Sequence, residues 1–208
     1  MVITFDLDDT LYDEIDFVHS GFRAVSDFLE GPSDEILRVM LDIFGAEGSG
    51  KVFNRTLEHF GLAADIPLLV SIYRYHVPTL DLPAPSRRLL ERARQDHATA
   101  LVTDGPYLMQ KNKFDVLGIA PYIRFSVFSD RHGTRKPEHK PFSLVMEHFA
   151  GEEEFVYVAD NPAKDFLAPA ALGWRTIRYR NPRGIYRETP SDADHETDSL
   201  DDVMALLG

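Results

Sequence analysis

The sequence predicts an α/β fold: a parallel sheet covered by helices on both faces, with a block of helices inserted after the first strand. Three observations carry this. Short apolar runs rich in β-branched and aromatic residues recur along the chain, as buried strands require. Helical patterns separate them, so consecutive strands are joined by crossovers and lie parallel. Between about Ile15 and Leu80 the alternation stops and only helical periodicity remains.

The first strand is "VITF", residues 2–5. In the stretch that follows, Ile15, Phe17, Val18, Phe22, Val25, Phe28 and Leu29 form an amphipathic stripe closed by "EGPS". Ser33 is expected to cap a second helix carrying Ile36, Leu37, Met40, Leu41 and Phe44, with Asp34 and Glu35 in its first turn. Val52, Phe53, Leu57 and Phe60 make a third helix, ended by Gly61. Asp65 is expected to cap a fourth, with Pro67 in its first turn, and "TLDLPAP" returns the chain. Four strands are then read at 98–103, 123–129, 154–159 and 174–179. Helices are read at 86–95, 106–118, 141–150 and 163–173. Trp174 is expected in the core, and the acidic tail "SDADHETDSLDD" is expected to face solvent before a last short helix.

Composition narrows the function. The chain has 208 residues and a formal net charge of −12, which argues against nucleic acid or an anionic membrane as the main partner. It also means that an anionic substrate needs local positive charge. With no cysteine there is no disulfide, thiolate metal site or cysteine nucleophile. Asp6, Asp8 and Asp9 interrupt any secretory h-region, and no apolar run approaches the roughly 20 residues of a membrane span. A soluble cytoplasmic protein is expected.

Why should "DLDD" load three carboxylates onto the end of the first apolar run? Like charges this close repel one another. Asp6 and Asp8, two apart in an extended segment, point to one side. In a parallel sheet the ligand site lies beyond the carboxyl ends of the strands, and each strand here ends in polar residues. The second ends in "LVTDGP", offering the Thr103 hydroxyl and the amides of Asp104 and Gly105, a cradle for phosphate oxygens or an ordinary helix cap. Lys136 stands in the loop after the third. The fourth delivers Asp160, which alone would serve as a cap, and Asp165. Four carboxylates on one sheet edge are tolerable together if a cation sits among them. Oxygen ligands without histidine or thiolate fit a hard ion, Mg²⁺ before zinc, and Mg²⁺ takes one or two carboxylates plus a substrate phosphate.

"DLDDTL", Thr103, Lys136 and "DNPAKD" resemble the four ordered motifs of the haloacid dehalogenase-like hydrolase superfamily, and the resemblance covers the whole chain. It implies a three-layer Rossmann-like catalytic core over residues 1–14 and 81–208, and a four-helix cap domain over 15–80. Asp6 matches the nucleophile, which forms an aspartyl-phosphate. Asp8 matches the acid/base, with its backbone carbonyl a ligand of Mg²⁺. Thr103 and the amides of Asp104 and Gly105 match the phosphoryl holder. Lys136 matches the cation that steadies the nucleophile and binds phosphate. Asp6 and Asp160 match further metal ligands, and Asp165 would act on the metal close by, directly or through water.

The chain departs from the pattern at Ala159 and Asp9, where glycine is common, while Asp8 and Thr10 speak for phosphatase over dehalogenase or mutase chemistry. The implied activity is a Mg²⁺-dependent phosphatase acting on a small-molecule phosphate monoester. The alternatives are a phosphotransferase or mutase and a catalytically silent binding protein. His132, His139 and His148 have no ligand spacing and are expected at the surface. His19, Arg23, Arg55 and Arg74 are cations of the insertion that could meet a leaving group. "RNPRGIYRETP" (180–190) is a turn-rich stretch near the same edge.

Overall fold

Every residue of VITF is buried, which is what a strand covered on both faces requires. The structure, a computed structural model, describes residues 1–206; the expected core's last two residues, 207 and 208, lie outside the described residues. In chain order the elements are β1 (Val2–Phe5), α1 (Glu14–Phe28), α2 (Ser33–Glu47), α3 (Val52–Phe60), α4 (Ile66–Tyr75), α5 (Ala84–Asp96), β2 (Ala98–Thr103) and α6 (Tyr107–Val116). There follow β3 (Phe125–Phe128), α7 (Lys140–His148), β4 (Phe155–Ala159), α8 (Leu167–Ala171), β5 (Arg175–Tyr179), β6 (His195–Thr197) and α9 (Val203–Leu206). The chain divides into two units, Met1–Glu14 with the chain from Asp81 onward, and Ile15–Leu80.

The first unit is built on one six-stranded sheet, ordered β3-β2-β1-β4-β5-β6 with every pairing parallel. The strand order runs outward from β1 in both directions. β1 and β4 therefore flank the point where the winding reverses, the place beyond the carboxyl ends where such sheets bind ligands. Phe5 lies opposite Leu101 of β2 and Val158 of β4, so the residues that follow these strands emerge at one level. One face of the sheet packs Val102, Val127, Phe142, Val145, Tyr157 and Trp174 into a continuous core. Trp174 stacks on Phe155 at 5.0 Å and meets Phe142 edge-on at 5.5 Å, as expected of a core tryptophan. Burying each such side chain is worth about 1.5–3 kcal/mol.

The second unit is a helical bundle with its own interior of Phe22, Val25, Ile36, Met40, Phe53, Leu57 and Leu69. A Cβ on Gly21 would lie 2.5 Å from the Tyr73 ring, so glycine lets α1 approach α4. Gly61 ends α3 in the left-handed region at φ 62°. Ser33 is not the cap expected of it. It is the first residue of α2, its hydroxyl donates to Asp27, and it accepts from Arg23 at 3.1 Å. Asp65 precedes α4 but makes no side-chain cap bond. Arg23 pairs with Asp34 at 2.8 Å, and Arg55 lies 3.5 Å from Glu47, while His19 and Arg74 are exposed.

The acidic tail is mostly exposed and leads into the short helix α9, as expected; it also supplies a sixth strand that the sequence did not suggest, β6, paired with β5 through Ile177–His195 and Arg178–Glu196. One expectation in the first unit needs correction. The helix read at 163–173 begins only at Leu167, because Asn161 accepts the Ala163 amide (3.0 Å) and holds residues 161–165 in a turn. His132, His139 and His148 are exposed. No helix among the described residues is long and apolar enough to cross a membrane.

Candidate active site

Asp6 directly extends β1: its amide donates to Val158 O at 3.0 Å, which fixes the side chain beside the end of β4. There Lys136 forms the hub. Its Nζ lies 2.8 Å from Asp6 Oδ1 and 2.7 Å from Asp165 Oδ1, and it donates to Tyr157 Oη at 3.0 Å. Asp6 is 3% exposed, Lys136 4% and Asp165 fully buried, so these charges attract one another with little screening by water. The second Asp165 oxygen accepts the Asn161 amide at 3.0 Å. Burial alone would neutralise Lys136, but Asp165 and Asp6 outweigh it and hold the ammonium well above its usual range.

Asp160 joins this cluster. One carboxylate oxygen each of Asp6, Asp160 and Asp165 lies within 4.8 Å of the others. Burial, reinforced by Asp6 and Asp165, pushes Asp160 up to about 9. Burial also lifts Asp6 to about 6, against the pull of Lys136. Three buried carboxylates around one buried ammonium are short of positive charge, and the donors are all hard oxygens. They fit a divalent hard cation.

The Asp8 carboxylate does not join them. Lys113, fully buried on α6, lies 2.7 Å from Asp8 Oδ1, and Tyr12 donates to the same oxygen. Gln110 Nε2 donates to Oδ2 at 2.8 Å. Burial would raise Asp8, but the Lys113 charge and these three hydrogen bonds keep it below the usual carboxylate range. Asp6 and Asp8 of the first motif are thus separated by their partners. Asp6 faces the acidic cluster, and Asp8 faces its own cation. The metal site expected from four aspartates is, in side chains, a site of three.

Lys113, Gln110 and Tyr157 were not legible as site residues, and neither was Lys164. Lys164 is close enough to Asp6 and Asp165 for their charge to outweigh its burial and raise it. A signal existed for two of them: Gln110, Lys113, Phe114 and Leu117 share one helical face, the face α6 buries. A lysine among such neighbours needs a buried anion.

Thr103 ends β2 in the same edge, 1% exposed, and accepts from Gln110 Nε2 at 2.6 Å. The Asp104 side chain accepts the Lys136 amide at 3.0 Å, so the phosphate-loop candidate also anchors the lysine loop. Gly105 has φ +122°, open to glycine but strained for other residues. Asp9 stands at φ 54°, which aspartate tolerates better than most side chains, and its carboxylate accepts the Glu14 amide at 2.8 Å. The turn-rich 180–190 stretch acquires a physical account. Asn181 donates to Asp9 O (3.0 Å) and Asp13 Oδ1 (2.8 Å), bracing the first-motif turn. Buried Arg178 donates to Thr189 O at 2.6 Å, Tyr186 O at 2.5 Å and Asp160 O at 3.3 Å, clamping that stretch to the end of β4.

Residues 3–179 match the family described as haloacid dehalogenase-like hydrolase. The chain belongs to that family. This haloacid dehalogenase-like hydrolase is 28% identical to a glyceraldehyde 3-phosphate phosphatase of Methanocaldococcus jannaschii, over 99% of the chain and 96% of the relative. It is 29% identical to a phosphoserine phosphatase of Thermus thermophilus, over 67% of the chain and 57% of that protein. In fold it resembles the magnesium-bound structure of YfnB from Bacillus subtilis, with a TM-score of 0.74 at 18% identity, covering 100% of this chain and 98% of the other. A HAD phosphatase from Thermococcus onnurineus gives a TM-score of 0.62 at 24% identity, covering 100% and 97%.

Proposed function

We propose that this hydrolase is a cytoplasmic, Mg²⁺-dependent phosphatase that cleaves a small-molecule phosphate monoester through an aspartyl-phosphate on Asp6. The observation that carries the reading is the separation of the two motif aspartates: Asp6 buried against Lys136 and the acidic cluster, Asp8 held apart by Lys113. Relatives named as phosphatases at full or partial coverage support it. Asp6, Asp160, Asp165 and the Asp8 backbone carbonyl would hold Mg²⁺. When bound, the ion offsets the repulsion between anionic nucleophile and anionic phosphate. The helical unit is, on this reading, the cap domain.

The chain's own residues do the rest. Thr103, with the amides of Asp104 and Gly105, holds the phosphoryl oxygens, and Lys136 compensates their charge. One Asp6 oxygen forms a bond to phosphorus as the bond to the leaving oxygen breaks. That oxygen keeps the electron pair and takes a proton from Asp8. In the second step Asp8, again a carboxylate, accepts a proton from water. The water oxygen attacks phosphorus, and the Asp6–phosphorus bond breaks to restore the carboxylate. Lys113 keeps Asp8 ionised in the resting site, which suits the second step. The negative charge of a bound phosphate raises Asp8 towards the protonated form needed for the first.

Purified protein with Mg²⁺ is expected to release phosphate from p-nitrophenyl phosphate and to lose this with a chelator. The relatives' names make three-carbon phosphate esters the first physiological candidates to screen. Phosphate passing to an added sugar phosphate rather than to water would favour the phosphotransferase reading, and no turnover across a broad panel would contradict both.

The acidic cluster makes a second prediction, on stability. Asp160, at about 9, and Asp6, at about 6, are raised above the roughly 3.9 of an unfolded aspartate. Between these values the metal-free fold binds more protons than the unfolded chain, so its stability falls as pH rises. Mg²⁺ takes the ionised carboxylates and stabilises in proportion to its affinity. Thermal unfolding in chelator is therefore expected to weaken from about pH 6 to about pH 8.5, and the gain on adding Mg²⁺ to grow over that interval. A gain that is absent or independent of pH would contradict the metal assignment.

A further inference from the structure

Gln110 stands between the two groups to which the proposed mechanism assigns separate tasks. It is fully buried on α6, and its Nε2 donates to both Asp8 Oδ2, at 2.8 Å, and Thr103 Oγ1, at 2.6 Å. The orientation of the amide follows from its neighbours. Asp8, already paired with Lys113, is an ionised carboxylate and can only accept. Turned the other way, the amide would set its oxygen against that carboxylate. Both Nε2 hydrogens are then used, and Gln110 Oε1 is buried without a hydrogen-bond partner. An unpaired buried carbonyl is costly, so the arrangement trades one hydrogen bond for two fixed ones.

The hydroxyl of Thr103 has one proton. Because its oxygen accepts from Gln110, that proton is turned away from α6. We infer that Gln110 is a positioning residue that sets the polarity of the Thr103 hydroxyl, so that Thr103 meets the phosphoryl group as a donor, while the same amide holds the free oxygen of Asp8. The chain Lys113–Asp8–Gln110–Thr103 thereby links the acid/base to the phosphate holder through one helix, α6. Gly105 leaves room for the link, since a Cβ there would approach Gln110 Cδ and Cγ to 3.3 Å. The inference rests on the reading of Thr103 as a phosphoryl holder.

The test is a double-mutant cycle on the binding of inorganic phosphate to the full-length, Mg²⁺-loaded protein, measured by calorimetry. Thr103→Val is expected to weaken phosphate roughly tenfold or more, the loss of a hydrogen bond to a charged group. Gln110→Leu, which frees the hydroxyl to turn elsewhere, is expected to weaken it about three- to tenfold. In Thr103→Val/Gln110→Leu the second change should add less than about twofold, because it has no hydroxyl left to direct. Gln110→Met is the second variant. It keeps the length of the side chain and adds no charge beside Asp8, yet it cannot donate, so it should weaken phosphate about as much as Gln110→Leu does.

Losses that multiply in the double variant, or a Gln110→Met protein that binds phosphate like wild type, overturn the inference and leave the phosphatase reading intact. A Thr103→Val protein that binds phosphate unchanged overturns the phosphate-holder reading itself, and this inference with it. Should Gln110→Leu fail to fold, the cycle is run with Gln110→Met, and multiplied losses again decide against the coupling.

Discussion

Asp6→Asn is expected to lower turnover by roughly 10⁴-fold or more, the scale seen when a covalent nucleophile is removed from a preorganised site. The substitution changes little in shape. It replaces an oxygen that can bond to phosphorus by an amide that cannot form the acyl phosphate. Lys136 keeps its 2.7 Å partner Asp165, and Tyr157 keeps its contact with Lys136, so the surrounding network survives. The variant should therefore unfold near the wild-type temperature while losing turnover on every phosphate ester tested. Removing one of the three crowded carboxylates also relieves repulsion, so the metal-free variant should not be less stable than wild type. Stopped-flow phosphate release and thermal unfolding measured together check both halves. Wild-type turnover in a folded Asp6→Asn protein is incompatible with the mechanism.

Lys136→Met is expected to cost more in stability than any surface change, by about 3–5 kcal/mol, because it strands buried charge. Asp6 Oδ1 and Asp165 Oδ1 would lose the cation that lies 2.8 and 2.7 Å from them, and Tyr157 would lose its donor at 3.0 Å. Methionine fills the space but offers no charge. Turnover is expected to fall by about 10²–10³-fold as well, since the charge developing on the phosphoryl group loses a fixed cation. Urea unfolding in chelator measures the first effect and steady-state kinetics in Mg²⁺ the second. Mg²⁺ should restore part of the stability and little of the rate, because it supplies charge to the carboxylates without replacing the ammonium. A stability change under about 1 kcal/mol, the scale of an exposed pair, would mean that water already screens these charges.

The strands that carry the site were legible because a strand buried on both faces must be written largely in apolar residues, and β1 to β4 are, while β5 mixes Ile177 and Tyr179 with Arg175, Thr176 and Arg178. β6 was not, because His195, Glu196 and Thr197 contribute backbone to the edge of the sheet and little to the core. The turn at Asn161 was hidden for a related reason: alanine, lysine and aspartate suit a helix as well as they suit the turn, and the Asn161 side chain decided locally. At the site, aspartates on strand ends could be read from spacing because topology alone brings them to one edge. What topology does not fix is which cation each one meets. Lys111 and Lys113 are two residues apart on α6, yet Lys111 pairs with exposed Asp115 at 2.5 Å while Lys113 is buried against Asp8. Their residue type is the same, and only the helical face separates them. Asp6 and Asp8 carry the same lesson. Their spacing points both side chains one way, but Lys136 and Lys113 then draw them into different networks.

The most direct measurement is of the covalent bond itself. Wild-type protein mixed with Mg²⁺ and substrate, quenched in acid within the first turnover and digested, should carry one phosphoryl group on the peptide that contains Asp6, and Asp6→Asn should carry none. Phosphate found on another residue, or product formed at full rate with no labelled peptide at any time, would contradict the account.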